Sequence, residues 1–271
     1  MAMWQADPST LIALLVLAGV YVGASLKLAQ RPTARQGVAF VAALLTILIA
    51  ITGPLDELTK ERSFAVYIFQ QMLLVFVVPP LLLFGLPGWM LRPLMLNRFV
   101  EPVARVITRP LFAFLLFAAV LTLIHYPMVC DRVCHVRPFY GDLHALLLFV
   151  GSLLWWPLLS PLPEYPRMTY PMQIMYLFLL MIPMTAVAAP ITLANSVLYM
   201  FYMGGEHPLG LTPMADQVLG GLIMWVGQGV YIMFGFSAIF YRWARWDDQE
   251  EPPLNREPIP RLQIPVTPHH Q

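Results

Sequence analysis

The chain has 271 residues, of which 59% are hydrophobic and 11% are charged, and its formal net charge at pH 7 is +1. Soluble domains carry about 25% charged residues, so this composition excludes a soluble protein and indicates an integral membrane protein. A net charge so close to zero argues against binding to nucleic acid. The two cysteines are too few for a disulfide framework.

Seven stretches are long and apolar enough to cross a membrane, which takes about 20 residues. The predicted spans are residues 10–28, 37–54, 65–86, 110–127, 141–160, 171–195 and 217–241. The expected fold is an all-α integral membrane protein, a bundle of seven transmembrane helices within residues 1–246. Residues 247–271 are rich in proline and polar side chains, which predicts a disordered cytoplasmic tail.

The 16 lysines and arginines are divided unequally between the two sides of this bundle. The richer side has Lys27, Arg31, Arg35, Arg92, Arg98, Arg105, Arg109, Arg167, Arg242, Arg245, Arg256 and Arg261. The poorer side has Lys60, Arg62, Arg132 and Arg137. Because cytoplasmic loops carry the excess of positive charge, the N-terminus is predicted to lie outside and the C-terminus in the cytoplasm.

The connection between spans four and five concentrates side chains that bind metals. Residues 125–144 contain both cysteines and three of the six histidines. The candidate ligands are His125, Met128, Cys130, Cys134, His135 and His144. Copper prefers soft sulfur donors and also accepts imidazole, so the pattern favours a copper site.

Other interpretations of these residues stay open. In an oxidising compartment Cys130 and Cys134 could form a loop disulfide. The ending Cys134-His135 approaches the haem-attachment pattern C-x-x-C-H but has one residue too many between its cysteines. Asp216, at the start of span seven, either caps that helix or orients a histidine ligand from behind. The spans contain no ladder of ionisable residues through the bilayer, which argues against a pump or channel.

Several short sequences follow one another in a specific order along the chain. They are Gly53-Pro54-Leu55-Asp56, Gln71-Met72-Leu73-Leu74, Pro79-Pro80-Leu81-Leu82-Leu83-Phe84-Gly85, His125-Tyr126-Pro127, Leu143-His144, Trp155-Trp156-Pro157, Tyr199, Leu211-Thr212-Pro213-Met214-Ala215-Asp216-Gln217 and Gly220-Gly221-Leu222-Ile223-Met224-Trp225. From about Gly53 to Trp246 the chain resembles the CtaG family, which is associated with the assembly of caa3-type cytochrome c oxidase.

The resemblance implies a seven-span protein of the bacterial inner (plasma) membrane that helps to mature the haem–copper oxidase by handling copper. Its partners would be cytochrome c oxidase subunits and membrane lipid. Family members typically carry H-x-x-x-H in span three, where this chain has Tyr67 and Gln71. Tyrosine and glutamine are poor copper ligands. Either the copper site lies in the outer loop instead, or this chain has lost metal handling.

The leading hypothesis is a non-enzymatic assembly factor whose outer-face site accepts copper and passes it to the oxidase. The alternative is a non-catalytic structural subunit of an oxidase or respiratory supercomplex that has lost metal handling. Copper transport across the membrane ranks last. It needs ligands through the full membrane depth, where the inner halves of the spans offer only methionines such as Met175 and Met181.

Overall fold

The computed structural model describes residues 8–60, 63–133, 139–204 and 209–250. In these ranges the chain forms helices and loops and no β-strand, which confirms the all-α prediction. The helices are α1 (Pro8–Lys27), α2 (Ala34–Thr52), α3 (Pro54–Lys60), α4 (Phe64–Met72), α5 (Val78–Gly85), α6 (Gly88–Met95), α7 (Glu101–Ile107), α8 (Pro110–His125), α9 (Pro127–Val133), α10 (Phe139–Leu159), α11 (Tyr170–Thr192) and α12 (Pro213–Glu250). A π-helical segment, Leu73–Val77, joins α4 to α5, and a 3-10 turn covers Met200–Met203.

Six helical segments of the described chain are long and apolar enough to cross a membrane, by length and composition. They are Pro8–Lys27, Ala34–Thr59, Phe64–Gly85, Gly141–Leu159, Tyr170–Thr192 and Pro213–Trp246. The predicted fourth span corresponds to α8, which has only 16 residues. The axes of α7 and α8 are bent by 74° relative to each other. If these two helices together form one span, the number of spans is seven.

The bend between α7 and α8 has a local cause. Pro110 occupies the first turn of α8, and the residue before a proline is driven out of the helical region by steric clash. Arg109 accordingly has an extended backbone, with φ −64° and ψ 136°. The chain therefore has to change direction at Arg109 before α8 can begin.

The span from α4 to α5 contains a second irregularity, which joins it to α10. Pro79 and Pro80 lack an N–H, so the carbonyl of Val75 has neither an α-helical nor a π-helical donor. The indole Nε1 of Trp155, on α10, donates to this carbonyl over 3.0 Å. Gly151 lets the helices approach, since a Cβ there would lie 2.9 Å from Cγ of Pro79. The proline pair thus creates an acceptor that α10 satisfies inside the bundle.

The long helix α12 packs against both α4 and α11. Its backbone comes close to α4 at Gly220, where a Cβ would lie 2.5 Å from the ring of Phe64. α12 continues beyond the predicted end of span seven at residue 241 and ends at Glu250. The first four residues of the predicted tail are therefore helical, and the prediction for 251–271 lies outside the described residues.

Gly85 allows α5 to touch α2, and replacing it tests this packing. A Cβ at Gly85 would lie 2.6 Å from the backbone nitrogen of Phe40, so the Gly85→Ala variant must push the helices apart. We expect its free energy of unfolding to fall by about 1–3 kcal/mol, as for other overpacked sites. Unfolding of the purified protein in mixed detergent micelles measures this loss.

The matched control is Gly229→Ala in α12, where an added Cβ meets no atom within 4 Å. Alanine is the better helix former by about 1 kcal/mol, so this variant should be neutral or slightly more stable. Equal destabilisation of the two variants would contradict the close packing of α2 on α5.

Candidate metal site

The first turn of α4 is held by a carboxylate from α12. Asp216 accepts hydrogen bonds from the hydroxyl of Ser63 at 2.9 Å and from the backbone nitrogens of Phe64 at 2.5 Å and Ala65 at 3.3 Å. The first N–H groups of a helix have no partner within that helix, and a negative charge there is favourable. Asp216 is 1% exposed, so these bonds form away from solvent. The carboxylate caps a neighbouring helix, not its own.

The helix that contains Asp216 is capped by another residue. The hydroxyl of Thr212 accepts from the backbone nitrogen of Ala215 at 3.2 Å, at the start of α12. The role of Asp216 behind a histidine ligand stays a prediction, because the three bonds described for its carboxylate all end on α4 and its N-cap.

The next residue of α12, Gln217, fixes the segment that follows α11. Its Oε1 accepts from the backbone nitrogen of Leu198 at 2.6 Å, and its Nε2 donates to the carbonyls of Ile191 and Ser196, each at 3.3 Å. Tyr199 follows directly and donates its hydroxyl proton to the carbonyl of His125 over 2.9 Å. Asp216 and Gln217 together hold α4, α11 and the end of α8 at one end of the bundle.

His125 lies at the last position of α8 and is 6% exposed. Its Nδ1 is 2.8 Å from the carbonyl oxygen of Leu121. A carbonyl only accepts hydrogen bonds, so Nδ1 carries the proton and Nε2 of the neutral ring presents a lone pair. Among the described residues Nε2 has no hydrogen-bond partner. This is the tautomer in which an imidazole binds a metal through Nε2.

A cavity of about 20 Å³ lies beside His125. Besides apolar side chains it is lined by Gln71 and His125 and by three methionines, Met72, Met184 and Met224. Its walls come from α4 with the π-helical segment, α8, α10, α11 and α12. Of the predicted ligands that fall in the described residues, only His125 lines it.

The other predicted ligands have different surroundings. Cys130 on α9 is fully buried, and His144 on α10 is 2% exposed. Met128 on α9 is 59% exposed, so its thioether faces outward. Cys134 and His135 lie outside the described residues. Within the described ranges no three His, Cys, Asp or Glu side chains lie close enough together to hold a metal ion. The six-ligand loop site therefore stays a prediction.

The fold and the site define the class of this protein: it is a polytopic helical membrane protein with soft donor atoms in its interior. The family described as cytochrome c oxidase caa3 assembly factor matches residues 19–246. The chain therefore belongs to this family.

Similar sequences occur within larger mycobacterial proteins. Uncharacterized proteins of Mycobacterium bovis and Mycobacterium tuberculosis are each 27% identical over 204 residues, which cover 69% of this chain and 31% of each relative. An uncharacterized protein of Mycobacterium leprae is 24% identical over 147 residues, which cover 54% of this chain and 22% of the relative. The chain thus spans about a third or less of these relatives. No solved structure matches it significantly.

Removal of the Asp216 carboxylate tests the cap on α4. In Asp216→Ala the donors at Ser63, Phe64 and Ala65 lose their shared acceptor in a buried position. We expect the free energy of unfolding to fall by about 2–4 kcal/mol, from the lost cap and the unsatisfied donors. Unfolding in mixed micelles again gives the value.

Asp142→Ala is the matched control, because Asp142 also lies in the first turn of a helix but is exposed. Its loss should cost at most about 1 kcal/mol, the usual value of a charge near an exposed helix terminus. If Asp216→Ala is no more destabilising than this control, the carboxylate does not hold α4 as described.

Proposed function

We propose that this protein assists the assembly of cytochrome c oxidase by handling copper at the outer face of the bacterial inner membrane. Membership of the caa3 assembly factor family supports the role in oxidase assembly. The observation that carries the copper role is the imidazole of His125, which is buried with Nδ1 on a carbonyl and Nε2 without a partner among the described residues. Such an imidazole is prepared to bind a metal.

The surroundings of His125 support metal exchange at one end of the bundle. His144 is buried on α10, which packs against α8, and Cys130 is buried on α9, directly after α8. The proposed ligands of the exchange site are His125, Met128, Cys130, Cys134, His135 and His144, with Asp216 behind them. Thiolate, thioether and imidazole donors suit copper, and Cu(I) in particular favours the sulfur ligands.

The orientation of the chain decides which compartment this end faces. We infer seven spans, with α8 crossing as the fourth, the N-terminus outside and the C-terminus in the cytoplasm. The unequal distribution of basic residues supports this orientation. The end of α8 and the start of α12 then lie at the outer face, where copper could be accepted. The function needs no catalysed reaction, and its partners are oxidase subunits within the lipid bilayer.

Deletion of the gene in its host tests this function. We expect an oxidase that contains haem but has less than its full copper content, because copper insertion is the step that fails. Metal analysis of the purified oxidase, together with its optical spectrum, gives the ratio of copper to haem. The gene supplied in trans should restore the ratio, which controls for effects on neighbouring genes.

Two other results contradict the proposal. If the deletion strain has less oxidase but a normal ratio of copper to haem in it, the protein does not handle copper, and a role in stabilising the oxidase is favoured. Stoichiometric co-purification of this protein with active oxidase through gel filtration, combined with that normal ratio, favours the structural subunit.

A further inference from the structure

We propose that the cavity beside His125 is an intramembrane Cu(I) site, which shares His125 with the exchange site but none of its other ligands. Its ligands are Nε2 of His125 and the thioether sulfurs of Met72, Met184 and Met224. The inference rests on the copper-handling role proposed above and adds to it a second, buried position for the ion. None of these methionines belongs to the loop between α8 and α10.

The size and lining of the cavity suit one small ion. Its volume is about 20 Å³, which is enough for a single water molecule or a metal ion of similar size. The lining is apolar apart from Gln71 and His125. Nε2 of His125, which presents a lone pair, has no hydrogen-bond partner among the described residues. Buried polar atoms in a membrane protein normally find partners, so an available imidazole nitrogen at a cavity marks it as a place for a bound group.

The methionines around the cavity differ from others in the chain. Met184 is 1% exposed, Met224 is 2% exposed and Met72 is 5% exposed. Met175, on the same helix as Met184, is 53% exposed and lies on the outer surface of the bundle. Three buried methionines from three separate helices therefore line one cavity, together with its single imidazole.

The lack of charge on the donor atoms selects the oxidation state of the bound copper. The lining contains no carboxylate, and thioethers and a neutral imidazole bring no negative charge. A buried ion is costly in an apolar medium, and the cost rises with its charge. Thioether and imidazole donors are the soft and borderline types that bind Cu(I). The site therefore favours a monovalent soft ion and disfavours Cu(II), Zn²⁺ and the hard divalent cations.

The cavity lies next to the start of the outer loop, because His125 belongs to both. His125 ends α8, and its ring lines the cavity while the chain continues directly into α9 with Cys130. Because His125 belongs to both positions, an ion accepted by the loop passes to the cavity along this side chain. The buried position stores Cu(I) until the oxidase accepts it.

An anaerobic Cu(I) titration of the full chain in detergent, with a chromophoric chelator as competitor, tests the inference. The test variant is Met184→Leu/Met224→Leu, which removes two sulfurs and nearly conserves volume. Met175→Leu is the matched control on the same helix. Measured in a chain that also carries Cys130→Ser/Cys134→Ser, so that the loop thiols cannot bind the ion, the double variant should lose about tenfold or more in Cu(I) affinity. Even residues that only support metal ligands change affinity by about 10- to 100-fold. The control should bind like the wild type.

Two further variants separate this inference from the proposed function. Met72→Leu alone provides a milder loss if the double variant does not fold, as judged by gel filtration. Cys130→Ser/Cys134→Ser removes both thiols of the loop and should retain binding at the cavity. If the chain without loop thiols binds Cu(I) and the methionine variants in that background bind it equally well, the cavity site is wrong while copper handling stands. If the wild type binds no Cu(I), both the copper role and the cavity site are wrong.

Discussion

The contact between the Asp216 carboxylate and the first turn of α4 sets the register of the two helices that frame the interior. Phe64 lies against Gly220. Farther along the two helices, a Cβ added at Gly227 would lie 3.5 Å from Cε of Met72, so α4 and α12 run in the same direction. Met72 and Met224 each follow the capped contact by eight residues, or about 12 Å of helix. The cap therefore brings two thioethers to the same depth, beside the cavity that His125 and Met184 also line.

Several polar groups inside the bundle are paired with a neighbouring span. The carbonyl of Val75 accepts from Trp155 at 3.0 Å, and the side chain of Gln70 donates to the carbonyl of Ala50 at 2.7 Å. These bonds compensate for prolines and join neighbouring spans, as the membrane interior requires. Only one ring nitrogen of His125 is used within the described chain, and this residue lines a cavity. The proposed copper chemistry depends on this available imidazole nitrogen.

The sequence predicts the helices better than it predicts the site. Hydropathy places span three at 65–86, and the structure has it at Phe64–Gly85, because a long apolar run has few alternatives in a bilayer. The same pattern does not indicate the bend at Arg109 before α8. His125 is predicted as a ligand from its position, but Met184 and Met224 cannot be distinguished by pattern among 16 methionines. Their meeting depends on packing between α11 and α12, which one sequence does not reveal.

X-ray absorption at the copper edge of the Cu(I)-loaded Cys130→Ser/Cys134→Ser variant tests the central claim most directly. This variant contains no thiol, since the chain has only two cysteines, so any sulfur bound to copper must come from methionine. We expect a coordination shell with one imidazole nitrogen and two or three sulfurs. A shell of nitrogen and oxygen alone, or a variant that retains no copper, would contradict a Cu(I) site between α4, α8, α11 and α12.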